Sequence, residues 1–320
     1  MPPDASRPGL ASREGVSPPS HGRAIAMALL VTVLWSSSWI LIRWGLDDEG
    51  LPPITFAALR YGLAAVILMA WLTGRAAPRQ RLRGLGRSWI VRLAILGLLL
   101  YALTQGAMFV ALAEQPAATS SLVLSLTPLF VAVGAALSLA EVPTRWQVGG
   151  AVLVVLGAWL YFAGDLGATA AGMIAAGVAL AANVGSSILG RDVNRTGHVP
   201  PVVVTGLSMA IGAAVLAVVG IGLEGVPEVS PRGWLIIGWL AVVNTAVAFT
   251  LWNLSLRRLS AVESAGINNT MLVQIALLAW LFLGEAPGLA GLAGILLVSV
   301  GVFLTHVAQR RTVATFAAAR

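Results

Sequence analysis

Residues 120–143 read SSLVLSLTPLFVAVGAALSLAEVP, an apolar stretch long enough to cross a bilayer as a helix, with hydroxyl side chains and a proline in its first half. Pro128 has no backbone donor and crowds the carbonyl of Leu124, so we expect it to kink this helix. Lipid cannot satisfy the freed carbonyl, and we expect a neighbouring helix or a water-filled cavity to do so. A broken, polar helix at membrane depth is typical of a segment that lines a binding cavity.

The same stretch has a counterpart 144 residues later in the chain. Residues 264–287 read SAGINNTMLVQIALLAWLFLGEAP, and both stretches end in Glu-x-Pro. Without a gap, residues 117–160 and 261–304 share 13 identities in 44 pairs. Two of these identities are glycines in the following span, Gly150 with Gly294 and the pair seven residues further on. The sequence therefore contains an internal repeat.

Composition places the chain in the membrane. Of its 320 residues 58% are hydrophobic and 10% charged, with a mean hydropathy of +0.88, whereas soluble domains carry roughly 25% charge. There is no cysteine, which excludes disulfides and thiolate metal sites. Neither a metal nor another cofactor is expected.

Ten apolar segments are long enough to span a bilayer, and no soluble domain is inserted between them. The predicted spans are 24–43, 54–74, 89–111, 118–140, 146–164, 168–190, 201–222, 232–255, 261–284 and 287–308. Residues 1–22 are rich in Pro, Ser and Gly and are predicted to be a disordered tail, and 309–320 form a second tail. The predicted units are 23–164 and 165–308. Because each unit has five spans, an odd number, the second must be inverted relative to the first.

Arginine placement tests this topology. With an N-terminus inside, 17 of the 20 arginines fall in inside segments or adjoining span ends, as the positive-inside rule predicts. The net charge of +7 is therefore mainly a topology signal, and no nucleic-acid partner is expected. Both termini are predicted to be cytoplasmic, in a cell (inner or plasma) membrane. Contact of the 75–92 cluster with anionic lipid is the less economical interpretation.

Five short motifs, in order, carry a family resemblance. They are Leu-Trp-Ser-Ser-Ser-Trp at 34–39, Ala-Leu-Arg-Tyr at 58–61, Ser-Leu-Thr-Pro-Leu at 125–129, Glu-x-Pro at 141–143 and Gly-Glu-Ala-Pro at 284–287. In these the chain resembles the EamA-type ten-helix transporters of the drug/metabolite transporter superfamily, over about residues 24–308. The resemblance implies a secondary transporter, usually an exporter of amino acids or other small metabolites. It also implies an all-α fold of two inverted five-helix repeats around a central cavity.

Helical spacing selects the residues that could line such a cavity. Polar and aromatic side chains share one face on the third, fourth, eighth and ninth spans, and the first and sixth spans add similar candidates. The predicted substrate-binding residues are Trp35, Ser38, Trp39, Arg60, Tyr101, Gln105, Ser121, Ser125, Asn183, Thr245, Phe249, Trp252, Asn268 and Asn269. Rings would pack the apolar part of a small amphipathic solute, and amides would orient its polar ends. The alternative is that the Ser, Thr and Asn side chains only hold helices together.

Two charged residues of the spans are candidates for a role in transport. Arg60 could bind a substrate carboxylate, or it could extend to the outer interface. Glu263, at the start of the ninth span, is the candidate proton site, and its alternative role is to favour the start of that helix. The first span has no carboxylate, so facilitated diffusion or exchange is favoured over strong proton coupling.

The functional hypotheses are ordered accordingly. An exporter of small amphipathic metabolites, acting as a monomer or homodimer in the bilayer, is the first. Proton-coupled multidrug or metabolite efflux is the alternative. An intramembrane enzyme is remote, because no group of acid, base or metal ligands lies at membrane depth, and no catalytic residue is assigned. A non-transporting membrane protein is equally remote, since the inverted repeat argues against it. The sequence does not name the solute, its direction or its coupling ion.

Overall fold

The structure is a computed structural model that describes residues 19–115, 120, 123–138, 144–161, 168–268, 270–283 and 288–318, and all regular elements there are helical. The first half contains α1 (His21–Arg43), α2 (Pro53–Gly74), α3 (Ala76–Arg83), α4 (Arg87–Gly97), α5 (Thr104–Glu114), α6 (Thr127–Ser138) and α7 (Arg145–Tyr161). The second contains α8 (Ala170–Arg195), α9 (Pro201–Glu224), α10 (Pro231–Ala241), α11 (Ala248–Ser255), α12 (Ala261–Asn268), α13 (Thr270–Leu283) and α14 (Leu289–Ala318).

Helix is found in each of the ten predicted spans. The third span is formed by α4 and α5, the eighth by α10 and α11, and the ninth by α12 and α13. In the described part of the chain, six helical stretches are individually long and apolar enough to cross a membrane. Large apolar side chains point outward, such as Leu137 at 85% exposure and Val218 at 76%, as lipid contact requires. The prediction of an all-α multi-pass membrane protein is confirmed.

Helix pairs in the two halves follow the same packing scheme. The second and seventh spans, α2 and α9, pack along their length, and so do the fifth and tenth, α7 and α14. The first span packs on the eighth (α1 on α11), and its repeat-related pair, the sixth on the third, packs in the same way (α8 on α5). If each span is replaced by its counterpart five places along the chain, the pair of spans 1 and 8 becomes the pair 6 and 3. The pairs 2 and 7, and 5 and 10, remain unchanged. The two five-helix repeats are therefore related by a pseudo-two-fold axis, as inverted repeats are.

Two of the three π-helical turns in the described residues follow the repeat, whereas the third, Trp44–Asp48 after α1, has no counterpart in α8. The third span contains a π-helical turn at Leu98–Leu103, and the eighth contains one at Val242–Val247. Their first residues are 144 positions apart, and so are their last. Such turns insert one extra residue into a helix and are frequent at functional sites. Both turns lie in helices that border the central cavity.

Glycines allow the close packing of α7 and α14. A Cβ added at Gly157 would lie 2.7 Å from the carbonyl oxygen of Gly294, and one at Gly301 would lie 2.5 Å from the carbonyl oxygen of Gly150. Small residues permit such backbone approach between membrane helices. These glycines are therefore used within one chain, not at a dimer face.

The fourth span is interrupted next to Pro128. The helix begins anew at Thr127, after a turn at Leu126. The carbonyl of Leu124, which the proline leaves without its usual donor, accepts a hydrogen bond of 2.6 Å from Thr127 Oγ1. The freed carbonyl is thus satisfied by a local hydroxyl. The expectation that a neighbouring helix or cavity water would be required was wrong, because it ignored the residue directly before the proline.

Each end of the bundle has an ion pair between an arginine and an aspartate. At one end Arg232, at the start of α10, pairs with Asp48 at 3.0 Å. At the other end Arg92 of α4 pairs with Asp192 of α8 at 2.9 Å. Asp48 and Asp192 are again 144 residues apart. We call the end with Arg92 the arginine-rich face, because the 75–92 cluster also lies there, and the opposite end the acidic face.

Candidate functional site

A central cavity of about 240 Å³ lies between the two repeats. Its wall combines aromatic, hydroxyl and amide side chains with aliphatic ones. The lining residues are Trp35, Ser38, Ile42, Arg60, Tyr61, Leu96, Leu100, Thr104, Gln105, Met108, Phe109, Leu124, Ser125, Thr127, Asn183, Ser186, Ser187, Gly190, Phe249, Trp252, Asn253, Leu256, Ser264, Ala265, Asn268, Met271 and Ile275. Both repeats contribute, so neither half could form the cavity alone.

Most of the predicted site residues meet at this cavity. The nine that line it are Trp35, Ser38, Arg60, Gln105, Ser125, Asn183, Phe249, Trp252 and Asn268. Ser121 and Asn269 lie outside the described residues, and so does the side chain of Trp39. Tyr101 and Thr245 are buried behind the wall instead.

The π-helical turns explain why those two residues leave the predicted face. Tyr101 and Gln105 would share a face in a regular helix, as would Thr245 and Phe249. An inserted residue changes the helical phase between the members of each pair. Gln105 and Phe249 therefore reach the cavity, whereas Tyr101 and Thr245 support it from behind.

Aromatic rings form one wall of the cavity. The ring centroid of Trp35 lies 4.8 Å from that of Phe249 and 5.2 Å from that of Trp252. Tyr101 packs on Phe249 at 5.1 Å and on Tyr61 at 5.6 Å. Tilted ring pairs at these distances are favourable beyond their buried area. The wall is a rigid apolar surface contributed by the first, second, third and eighth spans.

Arg60 supplies a positive charge within this wall. The side chain is 4% exposed, and Nε donates a hydrogen bond of 2.8 Å to Thr245 Oγ1. One terminal nitrogen lies 3.4 Å from the carbonyl oxygen of Asn244, and the guanidinium carbon lies 5.1 Å from the ring centroid of Tyr61. No described carboxylate lies within 4.0 Å of Arg60. The guanidinium is held against the eighth span beside the cavity, not extended to an interface.

Asn244 connects three spans and was not recognised in the sequence. Its carbonyl accepts hydrogen bonds from Trp35 Nε1 at 3.1 Å and from Arg60. Its side-chain amide donates to the carbonyl of Leu34 and, at 3.2 Å, to Ser37 Oγ. The available signal was an asparagine in an apolar span, next to Thr245. Its importance depends on the π-helical turn, which no hydropathy pattern reveals.

Another part of the cavity wall is richer in hydroxyls and amides. Asn183 Nδ2 donates to Thr127 Oγ1 at 3.3 Å, which ties the sixth span to the break in the fourth. Ser186 and Ser187 follow on the same helix, and Ser125 and Gln105 complete this side. A solute in the cavity would meet both aromatic rings and uncharged hydrogen-bonding groups.

A buried amide network lies at the edge of the cavity toward the arginine-rich face. Asn253, which lines the cavity, accepts a hydrogen bond of 2.7 Å from Asn194 Nδ2 and donates one of 3.0 Å to Thr205 Oγ1. These residues join the sixth, seventh and eighth spans. Nearby, Arg191 donates to the carbonyl of Leu256 at 2.8 Å. The network closes this part of the bundle by tertiary hydrogen bonds.

Glu263 lies outside the cavity wall. Its Oε2 accepts a hydrogen bond of 3.1 Å from the backbone nitrogen of Ser260, and Ser260 Oγ accepts one of 3.1 Å from the nitrogen of Glu263. This reciprocal pair is a capping box at the start of α12. Oε1 lies 3.3 Å from His21 Nε2, at the start of α1. The geometry matches the helix-start alternative.

The chemistry of the cavity follows from the types of side chain in its wall. In the described part of the chain no three His, Cys, Asp or Glu side chains are grouped so that they could hold a metal ion. The cavity wall offers rings, hydroxyls, amides and one guanidinium. Such groups can enclose a small solute and orient a polar end of it.

Comparisons with known proteins agree with this architecture. The EamA-like transporter family matches the chain twice, at residues 22–163 and 166–307. A probable terminal-alkyne amino-acid exporter from Streptantibioticus cattleyicolor is 25% identical over 294 residues, which cover 87% of this chain and 93% of that protein. A crystal structure described only as that of a protein superposes with a TM-score of 0.76 at 23% identity, over 92% of this chain and 99% of the other, and shows the fold alone. Two family matches, one for each repeat, cover nearly the whole sequence, and the chain belongs to the EamA-like transporter family.

Proposed function

We propose that this protein is a secondary transporter that exports small amphipathic metabolites, of which amino acids and related compounds fit best. The observation that carries the proposal is the cavity of about 240 Å³ between the repeats, with the buried guanidinium of Arg60 at its wall. A buried cation in a membrane protein that has no carboxylate partner among the described residues is suited to an anionic group of a ligand. The related exporter acts on amino acids according to its name, which agrees with a carboxylate substrate.

Each wall has a role in this proposal. Arg60 binds the substrate carboxylate, and Trp35, Phe249 and Trp252 pack the apolar side chain. Ser38, Gln105, Ser125, Asn183 and Asn268 provide hydrogen bonds to the remaining polar atoms. Tyr101 and Thr245 hold the aromatic wall and Arg60 in place. Trp39, Ser121 and Asn269 remain predictions from the sequence.

Transport would proceed by alternating access between the inverted repeats. The pseudo-two-fold relation places the cavity between two units of similar packing, so a rocking motion can open it to either face. We propose that the arginine-rich face, with both termini, is cytoplasmic in the cell membrane, as the positive-inside rule requires. Both repeats of one chain line the cavity, so one chain suffices to form it, alone or within a homodimer.

Proton coupling through Glu263 is not part of this proposal. Its carboxylate is engaged in the capping box of α12 and does not border the cavity. The described cavity wall also contains no carboxylate that could attract a cationic drug. Facilitated diffusion or exchange of carboxylate-bearing solutes agrees better with this wall than proton-driven efflux of cations.

Counterflow into proteoliposomes tests the proposal. Vesicles loaded with a terminal-alkyne amino acid would receive a trace of the labelled compound, of its methyl ester or of the amine that lacks the carboxylate. We expect protein-dependent uptake of the amino acid, recovered chemically unchanged, and little uptake of the ester or amine. Vesicles without protein provide the background. Equal uptake of all three compounds, or no uptake above background across an amino-acid panel, would contradict the proposal.

A further inference from the structure

The link between α2 and α4 carries the largest group of unpaired charges on the described surface. Five arginines, Arg75, Arg79, Arg81, Arg83 and Arg87, are exposed within thirteen residues. None forms an ion pair with a described carboxylate. Two other arginines at the bundle ends are paired, Arg92 with Asp192 and Arg232 with Asp48. We call residues 75–87 the arginine strap.

Two leucines attach the strap to the bundle. Its helix, α3, has no buried residue, yet Leu82 and Leu85 pack against the core formed by Leu72, Leu93 and neighbouring valines. These two leucines hold the strap to the ends of the second and third spans. The arginines are consequently presented outward in a fixed arrangement, with Arg79 and Arg83 one helical turn apart.

The position of the strap places it at the surface of the bilayer. It starts directly after α2, a membrane span that ends at Gly74, and it ends where α4 begins. Trp71 and Trp89 bracket it, and the guanidinium of Arg75 lies 4.5 Å from the ring centroid of Trp71. Tryptophans at span ends mark the level of the lipid headgroups.

We propose that the arginine strap binds the phosphate groups of anionic phospholipids in the leaflet that it faces. Charge complementarity identifies this occupant, because the strap lies at headgroup level and guanidinium groups bind phosphate through paired donors. If these arginines served only to orient the chain in the membrane, their positive charge would suffice. No anchored helix would then be needed to hold the charges side by side. The site is separate from the central cavity and does not depend on the transported solute.

Lipid retention measures this interaction. The purified protein is equilibrated in detergent with equal amounts of phosphatidylglycerol and phosphatidylcholine, and the lipids that remain bound are counted by native mass spectrometry. We expect the wild-type chain to retain phosphatidylglycerol preferentially. Removal of three charges in R79Q/R81Q/R83Q should lower that preference about tenfold or more, since each basic residue near the surface contributes to anionic lipid binding. The matched control, R79K/R81K/R83K, keeps the charge and should retain clearly more of the preference than the glutamine variant, although lysine lacks the paired donors of a guanidinium group.

Two outcomes overturn the proposal. The first is equal retention of both lipids by the wild-type chain. The second is an unchanged preference in a glutamine variant that elutes and unfolds like the wild type. Should the glutamine variant fail to fold, a salt series on the wild-type chain decides, because screening must weaken a headgroup interaction at this exposed strap. A preference that is insensitive to salt then overturns it.

Discussion

Arg60 Nε donates a hydrogen bond of 2.8 Å to Thr245 Oγ1, which joins the second span to the π-helical turn of the eighth across 185 residues of sequence. The bond fixes the guanidinium beside the cavity. Because it uses Nε, terminal donors of the fork remain available to a ligand carboxylate. The orientation of the proposed anion site is therefore set by a residue of the other repeat.

Removal of this charge should alter selectivity. In Arg60→Gln we expect binding of a carboxylate substrate to weaken about tenfold to a hundredfold, the loss typical of a hydrogen bond to a charged group. Binding of the corresponding amide should change far less. Thermal-shift titration of the purified variant measures both. The control is Arg232→Gln, which removes an exposed arginine at the acidic face and should leave both affinities unchanged. If the substitution weakened binding of the acid and of the amide equally, Arg60 would not be the group that recognises the carboxylate charge.

Substitutions at Thr127 and Pro128 should have non-additive effects on the free energy of unfolding. Thr127→Val removes the hydroxyl that satisfies the carbonyl of Leu124, at an expected cost of about 1–3 kcal/mol. Pro128→Ala restores a backbone donor for that carbonyl, so the part of the cost that comes from the carbonyl should disappear in its presence, while the part that comes from the lost bond with Asn183 Nδ2 should remain. Thermal unfolding of the four proteins in detergent gives the coupling free energy. Simple additivity of the two substitutions would show that the carbonyl is not the shared partner.

Glu224 caps a helix of the other repeat. The carboxylate at the end of α9 accepts hydrogen bonds from the backbone nitrogens of Ile54 at 3.1 Å and Thr55 at 2.7 Å, in the first turn of α2. Glu224→Ala leaves both donors unsatisfied and should lower the unfolding free energy by about 1–3 kcal/mol. Glu224→Gln keeps one acceptor oxygen and should lose less. If alanine and glutamine variants unfold at the same temperature as the wild type, the cap does not contribute to stability.

Glycine substitutions should separate packing from helix propensity. A Cβ at Gly294 would lie 2.6 Å from the carbonyl oxygen of Gly157, so Gly294→Ala must push α7 and α14 apart. We expect a loss of about 1–3 kcal/mol, as for overpacked cores. Gly149, on α7, has no atom within 4 Å of an added Cβ. Gly149→Ala should therefore be neutral or stabilising by up to about 1 kcal/mol. Parallel thermal unfolding compares them, and similar losses at both sites would contradict the packing argument.

Some of the site could be read from the residue pattern, and some could not. Ser125, Asn183 and Trp252 reach the cavity because regular helical spacing places them there. Tyr101 and Thr245 do not, because the π-helical turns shift the helical phase at those points. The two turns lie 144 residues apart, as the repeat requires, but the repeated sequence alone does not predict that a π-helical turn forms there. An extra residue in a helix is stabilised by tertiary contacts, such as those that Trp35 and Arg60 make with the carbonyl of Asn244.

The linear sequence determined that this is a membrane protein, that it has ten spans, and that its second half repeats the first in inverted orientation. These properties depend on the length, hydropathy and charge of successive segments, which act locally and need no knowledge of packing. Only the tertiary structure decided which polar side chains share a cavity and which partner holds each one. A buried polar group in a membrane protein can be satisfied by many partners, so the pairing of Arg60 with Thr245 and of Asn253 with Thr205 depends on how the helices pack.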